Sequence, residues 1–172
     1  MTVVIRDATL EDARGIAQVH VASWRWAYRD QLPAETLDAL SVDEREAMWT
    51  AWFLRPEERA AVLVACDEDG RPLGFANAGP SRDEGAELTM GELRALYVLQ
   101  EAQGTGVGAR LLDEAEARLR LAGFGTATLW VLETNDLGRR FYERHGWTWD
   151  GTVSDHQFEC ANRPIVRYAR HL

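Results

Sequence analysis

The sequence predicts an α/β domain built round a mixed sheet, on three observations. Short apolar runs of strand length alternate along the chain with segments of helical period. Two of these runs, residues 61–66 and 72–78, flank the turn Asp67-Glu68-Asp69-Gly70 and read as a β-hairpin. A third, residues 92–99, is followed by a glycine cluster, a helical segment and another apolar run at 126–132. That order predicts a parallel β-α-β unit with a right-handed crossover inside a sheet otherwise joined by hairpins. The chain has 172 residues, and at roughly 150 residues per domain residues 1–172 read as a single domain.

The elements follow in order. Residues 3–6 form a short first strand, and Thr9-x-x-Asp12 resembles a capping box that opens a helix through about residue 30. Ile16, Val19, His20 and Ser23 trace one stripe of that helix, while Trp24, Trp26 and Tyr28 crowd its end. Pro33 restarts the chain. Ser41-x-x-Glu44 is a second capping signature, introducing a helix with Met48, Trp49, Trp52 and Phe53 on its apolar side. Residues 79–91, rich in Gly, Ser, Asp and Glu, read as a loop. The helix after the glycine cluster carries Leu111, Leu112, Ala115, Leu119 and Ala122 inward, with Glu114–Arg118 and Glu116–Arg120 as i, i+4 pairs on the wet side. Gly123 and Gly125 stop it. Residues 126–132 are a buried strand, 135–145 a short helix ending at Gly146, and 147–153 and 165–169 the last two strands. No repeat or low-complexity tract interrupts this series.

Composition removes several classes of function. Hydrophobic residues make up 46 % and charged residues 27 %, the balance of a soluble globular protein. The apolar run at 3–5 is too short for a signal peptide or a membrane span, so a cytoplasmic protein with no membrane partner is expected. A net charge of −9 and a pI near 4.9 oppose the positive field that nucleic-acid binding needs. All 19 basic residues are Arg; without Lys, P-loop, Schiff-base and lysine-dependent kinase chemistry are excluded. Cys66 and Cys160 show no C-x-x-C spacing and read as core or half-buried thiols, and His20, His145, His156 and His171 make no H-E-x-x-H. No metal is expected.

The glycine cluster is the chemical signal. Gln103-Gly104-Thr105-Gly106-Val107-Gly108 stands between a strand and a helix. Glycines there let the backbone approach a ligand, and the free N–H groups of the helix start bind phosphate or pyrophosphate. A tight turn without a ligand is the plain alternative, but one glycine would serve it. As a dinucleotide fingerprint, Gly104-x-Gly106-x-x-Ala109 fits, and Glu133 offers a ribose acid. That fingerprint normally opens a doubly wound domain, whereas here it stands in the second half of the chain.

A second reading uses more residues. Gln103-x-x-Gly106-x-Gly108 after Leu96-Tyr97-Val98 resembles the acyl-CoA pyrophosphate loop of the GNAT N-acetyltransferase superfamily. Asn135 with Phe141-Tyr142-Glu143-Arg144-His145-Gly146-Trp147 is similar to that family's second motif, with Trp147 replacing the usual Phe. The order of elements agrees over nearly the whole chain. Trp24-x-x-Ala27-Tyr28 and Leu32-Pro33 look like the subgroup of phosphinothricin-type acetyltransferases.

The resemblance implies a sheet whose parallel pair splays apart at the strand ends near Val98 and Leu132, and acetyl-CoA as cofactor. Unpaired backbone groups of Leu96, Tyr97 and Val98 would align pantetheine and thioester, one N–H polarising the carbonyl. Gln103, Gly104, Thr105, Gly106, Val107, Gly108 and Ala109 would hold the pyrophosphate, with Asn135 and Arg139 also on the cofactor side. Glu92 matches a carboxylate that acts as base through water, with a solvated strand-end carboxylate as the alternative. Tyr142 matches the tyrosine that protonates the departing thiolate, or else packs beneath the CoA arm. Trp24, Trp26, Tyr28 and Glu92 would wall the acceptor pocket, although aromatics at this spacing also serve as plain core; His156 is a weaker candidate. The activity implied is acetyl transfer to a primary amine of a small molecule or a protein N-terminus, by a protein that leans towards a homodimer. The rival is an acyl-CoA-binding sensor without catalysis.

Overall fold

The computed structural model describes residues 2–158 and 161–172; Cys160 lies outside them. The chain runs β1 (Val4–Asp7), α1 (Ala13–Ala27), α2 (Ala34–Asp38), α3 (Val42–Leu54), β2 (Ala61–Cys66), β3 (Pro72–Pro80), β4 (Met90–Val98), α4 (Val107–Leu121), β5 (Thr126–Leu132), α5 (Asp136–Arg144), β6 (Thr148–Phe158) and β7 (Ala161–His171). The strands form one sheet in the order β1-β2-β3-β4-β5-β7-β6. Among the described residues only β4 and β5 are parallel. A mixed sheet with a single parallel pair is not the doubly wound sheet that a dinucleotide fingerprint requires.

Strand alternation sorts the core into two layers. Leu63 and Ala65 of β2 pack on the α4 side with Leu111, Leu112, Ala115 and Leu119. Val62, Val64 and Cys66 face the other way, against Ile16 and Val19 of α1 and Trp49 of α3. A smaller cluster of Val21, Tyr28, Leu32, Leu37 and Leu40 covers Leu132 at the end of β5. The sheet is therefore clothed on both faces, which is why β2 and β3 read as continuous apolar runs.

Local signals set most boundaries. Asp12 Oδ2 accepts the Thr9 N–H at 2.8 Å, but this box opens a short 3-10 turn (Leu10–Asp12) ahead of α1. Asp12 is also paired with Arg6, whose guanidinium holds its carboxyl below the usual range. Ser41 Oγ accepts the Glu44 N–H at 3.3 Å and starts α3. α1 stops at Ala27, short of the expected residue 30, because the Tyr28 carbonyl accepts the N–H groups of Gln31 and Leu32 and closes the chain into a turn. Pro33 then opens α2, a helix too short for periodicity to reveal.

Two further expectations need correction. Glu116 is not on a wet face: it is 3 % exposed and accepts from Trp147 Nε1 at 3.0 Å, Arg170 Nη1 at 3.0 Å and Arg120 Nη2 at 3.1 Å. The last hairpin is longer than residues 147–153 and 165–169. β6 and β7 pair out to Phe158↔Ala161, where Asp155, His156 and Arg163 lack the apolar alternation that marks a half-buried strand. His156 is exposed there.

His20 is the odd member of the α1 core stripe. Its ring stacks on Tyr97 with centroids 5.4 Å apart and borders Trp24, Trp49 and Phe75. Nδ1 has no hydrogen-bond partner. Burial, then the nearby Arg45 charge, pushes its pKa down to about 4 from 6.5. Between those values the unfolded chain takes up a proton that the native chain refuses, so stability falls as pH falls. Urea unfolding should lose about 2–3 kcal/mol through this group between pH 7 and pH 4.5, and His20→Phe should remove that part of the slope. An unchanged slope in the variant would show that His20 protonates freely in the native state.

Candidate active site

β4 and β5 pair at only three positions, Met90↔Thr126, Gly91↔Ala127 and Glu92↔Thr128. Beyond Glu92 they part. β5 stays on β7 through seven pairs to Leu132↔Ile165, while β4 stays on β3 with a register shift in which Asn77 faces Ala95 and Ala78 faces Leu93. The shift leaves Arg94 in a bulge, and a bulge bends its strand. Arg94, with a side chain only 5 % exposed, anchors that bulge on both oxygens of Glu57 and on the Pro80 carbonyl. Exposure records the opening: Gly91, Glu92 and Leu93 are buried, whereas residues 94–98 are half-exposed in a strand at the middle of the sheet. Peptide groups of β4 that point away from β3 face this gap, and such groups need partners.

The gap leads into the glycine loop. Leu99 N–H still bonds Leu73, and Gln103 Nε2 donates to the Val98 carbonyl at 3.3 Å. Thr105 Oγ1 donates to the Ala102 carbonyl at 2.6 Å. Gly104 and Gly106 have φ of +75° and +88°, and a Cβ on either would meet nothing within 4 Å. These glycines serve the backbone turn and leave open space above it. Gly106 is the N-cap of α4, so the N–H groups of Val107, Gly108 and Ala109 are the unclaimed donors of the helix start. A Cβ on Gly108 would meet the Phe141 ring at 3.6 Å, so α5 packs close to the start of α4.

Two titratable groups flank the gap. Glu92 is 9 % exposed, and its Oε2 accepts the Arg82 N–H at 2.8 Å. Among the described residues Oε1 has no donor, yet it is not one of the fully buried unpartnered atoms, so it keeps some exposure to solvent. Burial raises the Glu92 pKa, opposed by the Arg82 N–H bond and reinforced by the Asp83 charge. On the other side, the Tyr142 ring packs edge-on to Phe141 and Trp147. Burial lifts its phenol well above the ordinary value, helped by Tyr97, so it holds its proton throughout the neutral range.

The structure brings together some of the other expected residues and separates others. Trp24 and Tyr28 meet edge-on with centroids 5.2 Å apart, and Tyr97 lies 6.2 Å from Trp24. Tyr28, Tyr97 and Tyr142 are close enough to shift one another's pKa, so phenols from α1, β4 and α5 converge. Leu96 and Val98 turn to the α4 layer. Trp26 points elsewhere: it stacks under Arg29 and lines a cavity of about 230 Å³ with Asn135. Asn135 Oδ1 caps α5 by accepting the Gly138 N–H at 3.0 Å. Arg139 donates to the Tyr168 hydroxyl and the Glu133 carbonyl. The sequence used Tyr97 only for its backbone and set Glu116 on the wet side; the Trp147 indole, which needs an acceptor once buried, was the available sign that Glu116 is interior.

A mixed sheet parted in this way and leading into a glycine-capped helix is the fold of solved GNAT structures. The family model for the acetyltransferase (GNAT) family matches residues 21–147. The chain belongs to the GNAT acetyltransferase family. The uncharacterized N-acetyltransferase YuaI of Bacillus subtilis (strain 168) is 41 % identical over 133 residues, 77 % of this chain and 73 % of that protein. The PaiA N-acetyltransferase of Thermoplasma acidophilum, solved in complex with coenzyme A, superposes with a TM-score of 0.79 over the whole of both chains at 22 % identity. The yncA structure from Salmonella typhimurium, with its cofactor acetyl-CoA, gives 0.74 over 100 % of this chain and 95 % of that one at 21 % identity.

Proposed function

We propose that this chain moves the acetyl group of acetyl-CoA to a primary amine of a small molecule or a protein N-terminus, by direct attack in a ternary complex. The observation that carries the reading is the gap between β4 and β5, with the open oxygen of Glu92 on one side and the proton-bearing Tyr142 on the other. Unpaired β4 groups and the bare α4 N-terminus fit the amides and pyrophosphate of CoA. Acetyl-CoA supplies the activated acyl group. Backbone groups of residues 96–98 orient it and place one N–H donor at the carbonyl.

An amine with a pKa near 10.4 is free in only about one molecule in a few thousand at neutral pH. Glu92, directly or through one water, takes the proton from the bound ammonium; its raised pKa makes it a better acceptor than an ordinary glutamate. Tyr142 donates to the departing thiolate, whose conjugate acid lies near pKa 8.5. Trp24, Tyr28 and Tyr97 form an aromatic wall that suits the apolar part of the acceptor, and the motifs at Trp24–Tyr28 and Leu32-Pro33 favour the phosphinothricin-acetyltransferase-like subgroup. No described helix is long and apolar enough to cross a membrane. A single domain, cytoplasmic residence and a homodimer complete the proposal, the dimer resting on family habit alone.

The deciding experiment is release of free thiol from acetyl-CoA against a panel of amines. Amine-stimulated release supports the enzyme; tight acetyl-CoA binding with no amine-dependent release supports a sensor instead. Three substitutions refine it. Gly106→Glu places a charged side chain in the space above the helix start and should abolish acetyl-CoA binding in calorimetric titration; unchanged affinity would mean the phosphate site lies elsewhere. Tyr142→Phe removes only the phenolic proton, so kcat should drop about 100-fold with acetyl-CoA affinity nearly unchanged, and wild-type turnover would remove Tyr142 as the acid. Glu92→Gln should slow the reaction at neutral pH and recover as rising pH supplies free amine. A higher KM with unchanged kcat would instead make Glu92 an attractor for a cationic acceptor.

A further inference from the structure

The turn after β3 carries polar ties that the packing of the core does not require. Arg82 gives its N–H to Glu92 Oε2 at 2.8 Å. Next to it, Asp83 accepts from Trp130 Nε1 at 2.8 Å and from Arg167 Nη1 at 2.9 Å, and its N–H donates to Ser81 Oγ at 3.3 Å. Arg167 is held in turn by Asp150 Oδ2 at 2.7 Å. These groups are poorly exposed, with the Asp83 side chain at 18 % and Arg167 at 25 %.

Trp130 stands two residues beyond Thr128, the last residue of β5 to pair with β4. Paired residues of neighbouring strands share a face, as do residues two apart on one strand, so Trp130 lies on the Glu92 side of the sheet. Asp83 thus ties the β3–β4 turn across to the far wall of the gap, one residue from the N–H that grips Glu92.

We infer that Asp83 is a positioning residue for the Glu92 carboxylate: held by Trp130 and Arg167, it locks the 81–83 turn so that the Arg82 N–H engages one oxygen and leaves the other open to the gap. The inference rests on the reading of Glu92 as the proton acceptor. The charged groups that face Glu92 are Arg82 and Asp83 from the turn and Arg94 from its own strand, with Thr128 opposite on β5. Of these influences, the Arg82 N–H bond favours the carboxylate and depends on the turn being fixed. If the turn slackens while the Asp83 charge remains, Glu92 keeps its proton to higher pH.

Trp130→Phe tests this, because it keeps an aromatic ring and the Asp83 charge while removing the Nε1–H donor together with part of the indole that Arg167 lies over. Amide exchange at Arg82 should rise about 10-fold, and the Glu92 midpoint in a 13C-carboxyl NMR titration should move up by about half a pH unit. Asp83→Ala cuts both ties and should raise Arg82 exchange further, read well below its unfolding temperature. Wild-type Arg82 exchange in either folded variant overturns the inference, as does an unmoved Glu92 midpoint in Trp130→Phe. In thiol release with the fastest amine of the panel, Trp130→Phe should slow the wild type and add nothing to Glu92→Gln; independent, multiplying effects also overturn it. Full activity in Glu92→Gln would sink the base assignment, while exchange and titration would still decide the lock.

Discussion

The parting of β4 from β5 after Glu92 and Thr128 is the constraint on which the rest of the structure depends. A central strand normally has both edges paired. Here β5 is held by seven pairs to β7 while the Arg94 bulge bends β4 away, and the interior edge of the sheet opens where the strands end. Unpaired peptide groups inside a protein are costly unless a partner arrives. The open edge therefore needs partners, which the proposed reading finds in the amides of the cofactor arm. The bulge in turn relies on a nearly buried guanidinium neutralised by Glu57, whose carboxyl Arg94 holds below its usual range.

The far side of the gap is supported by a second buried charge. Glu116 would be destabilising alone in the core, yet Trp147, Arg120 and Arg170 all donate to it, as a buried carboxylate requires. Arg170 also reaches the His145 carbonyl at the end of α5. Farther along α5, the Tyr168 hydroxyl donates to Glu143 at 2.7 Å and accepts from Arg139 at 3.1 Å. Tyr142 thus sits on a short helix tied to α4 and β7 at several points. A helix with no fully buried residue of its own depends on such ties to hold a side chain in one place.

Charge is distributed unevenly over the site. On the Glu92 face charges of both signs meet, Asp83 beside Glu92 with Arg82 and Arg94 also acting on it. The opposite shoulder carries aromatic rings and a neutral histidine.

The sequence by itself determined most of the elements and the place of the glycine loop between β4 and α4. Residues 61–66 and 126–132 match β2 and β5, because apolar runs bounded by turn residues carry their own limits. The glycine cluster, the short helix beginning near Asn135 and the parallel crossover were all legible for the same reason: each is a local pattern. The tertiary structure alone decided which charges lie inside. Glu116 and Arg120 have the i, i+4 spacing of a solvated pair, and only the approach of Trp147 and Arg170 makes that position interior. It also decided where the strands part, through a register shift invisible in either strand alone, and that Trp24 and Tyr28 meet Tyr97 while Trp26 turns away. Local propensity acts over a few residues, whereas burial and strand register depend on segments far apart in the chain that meet only when it is folded.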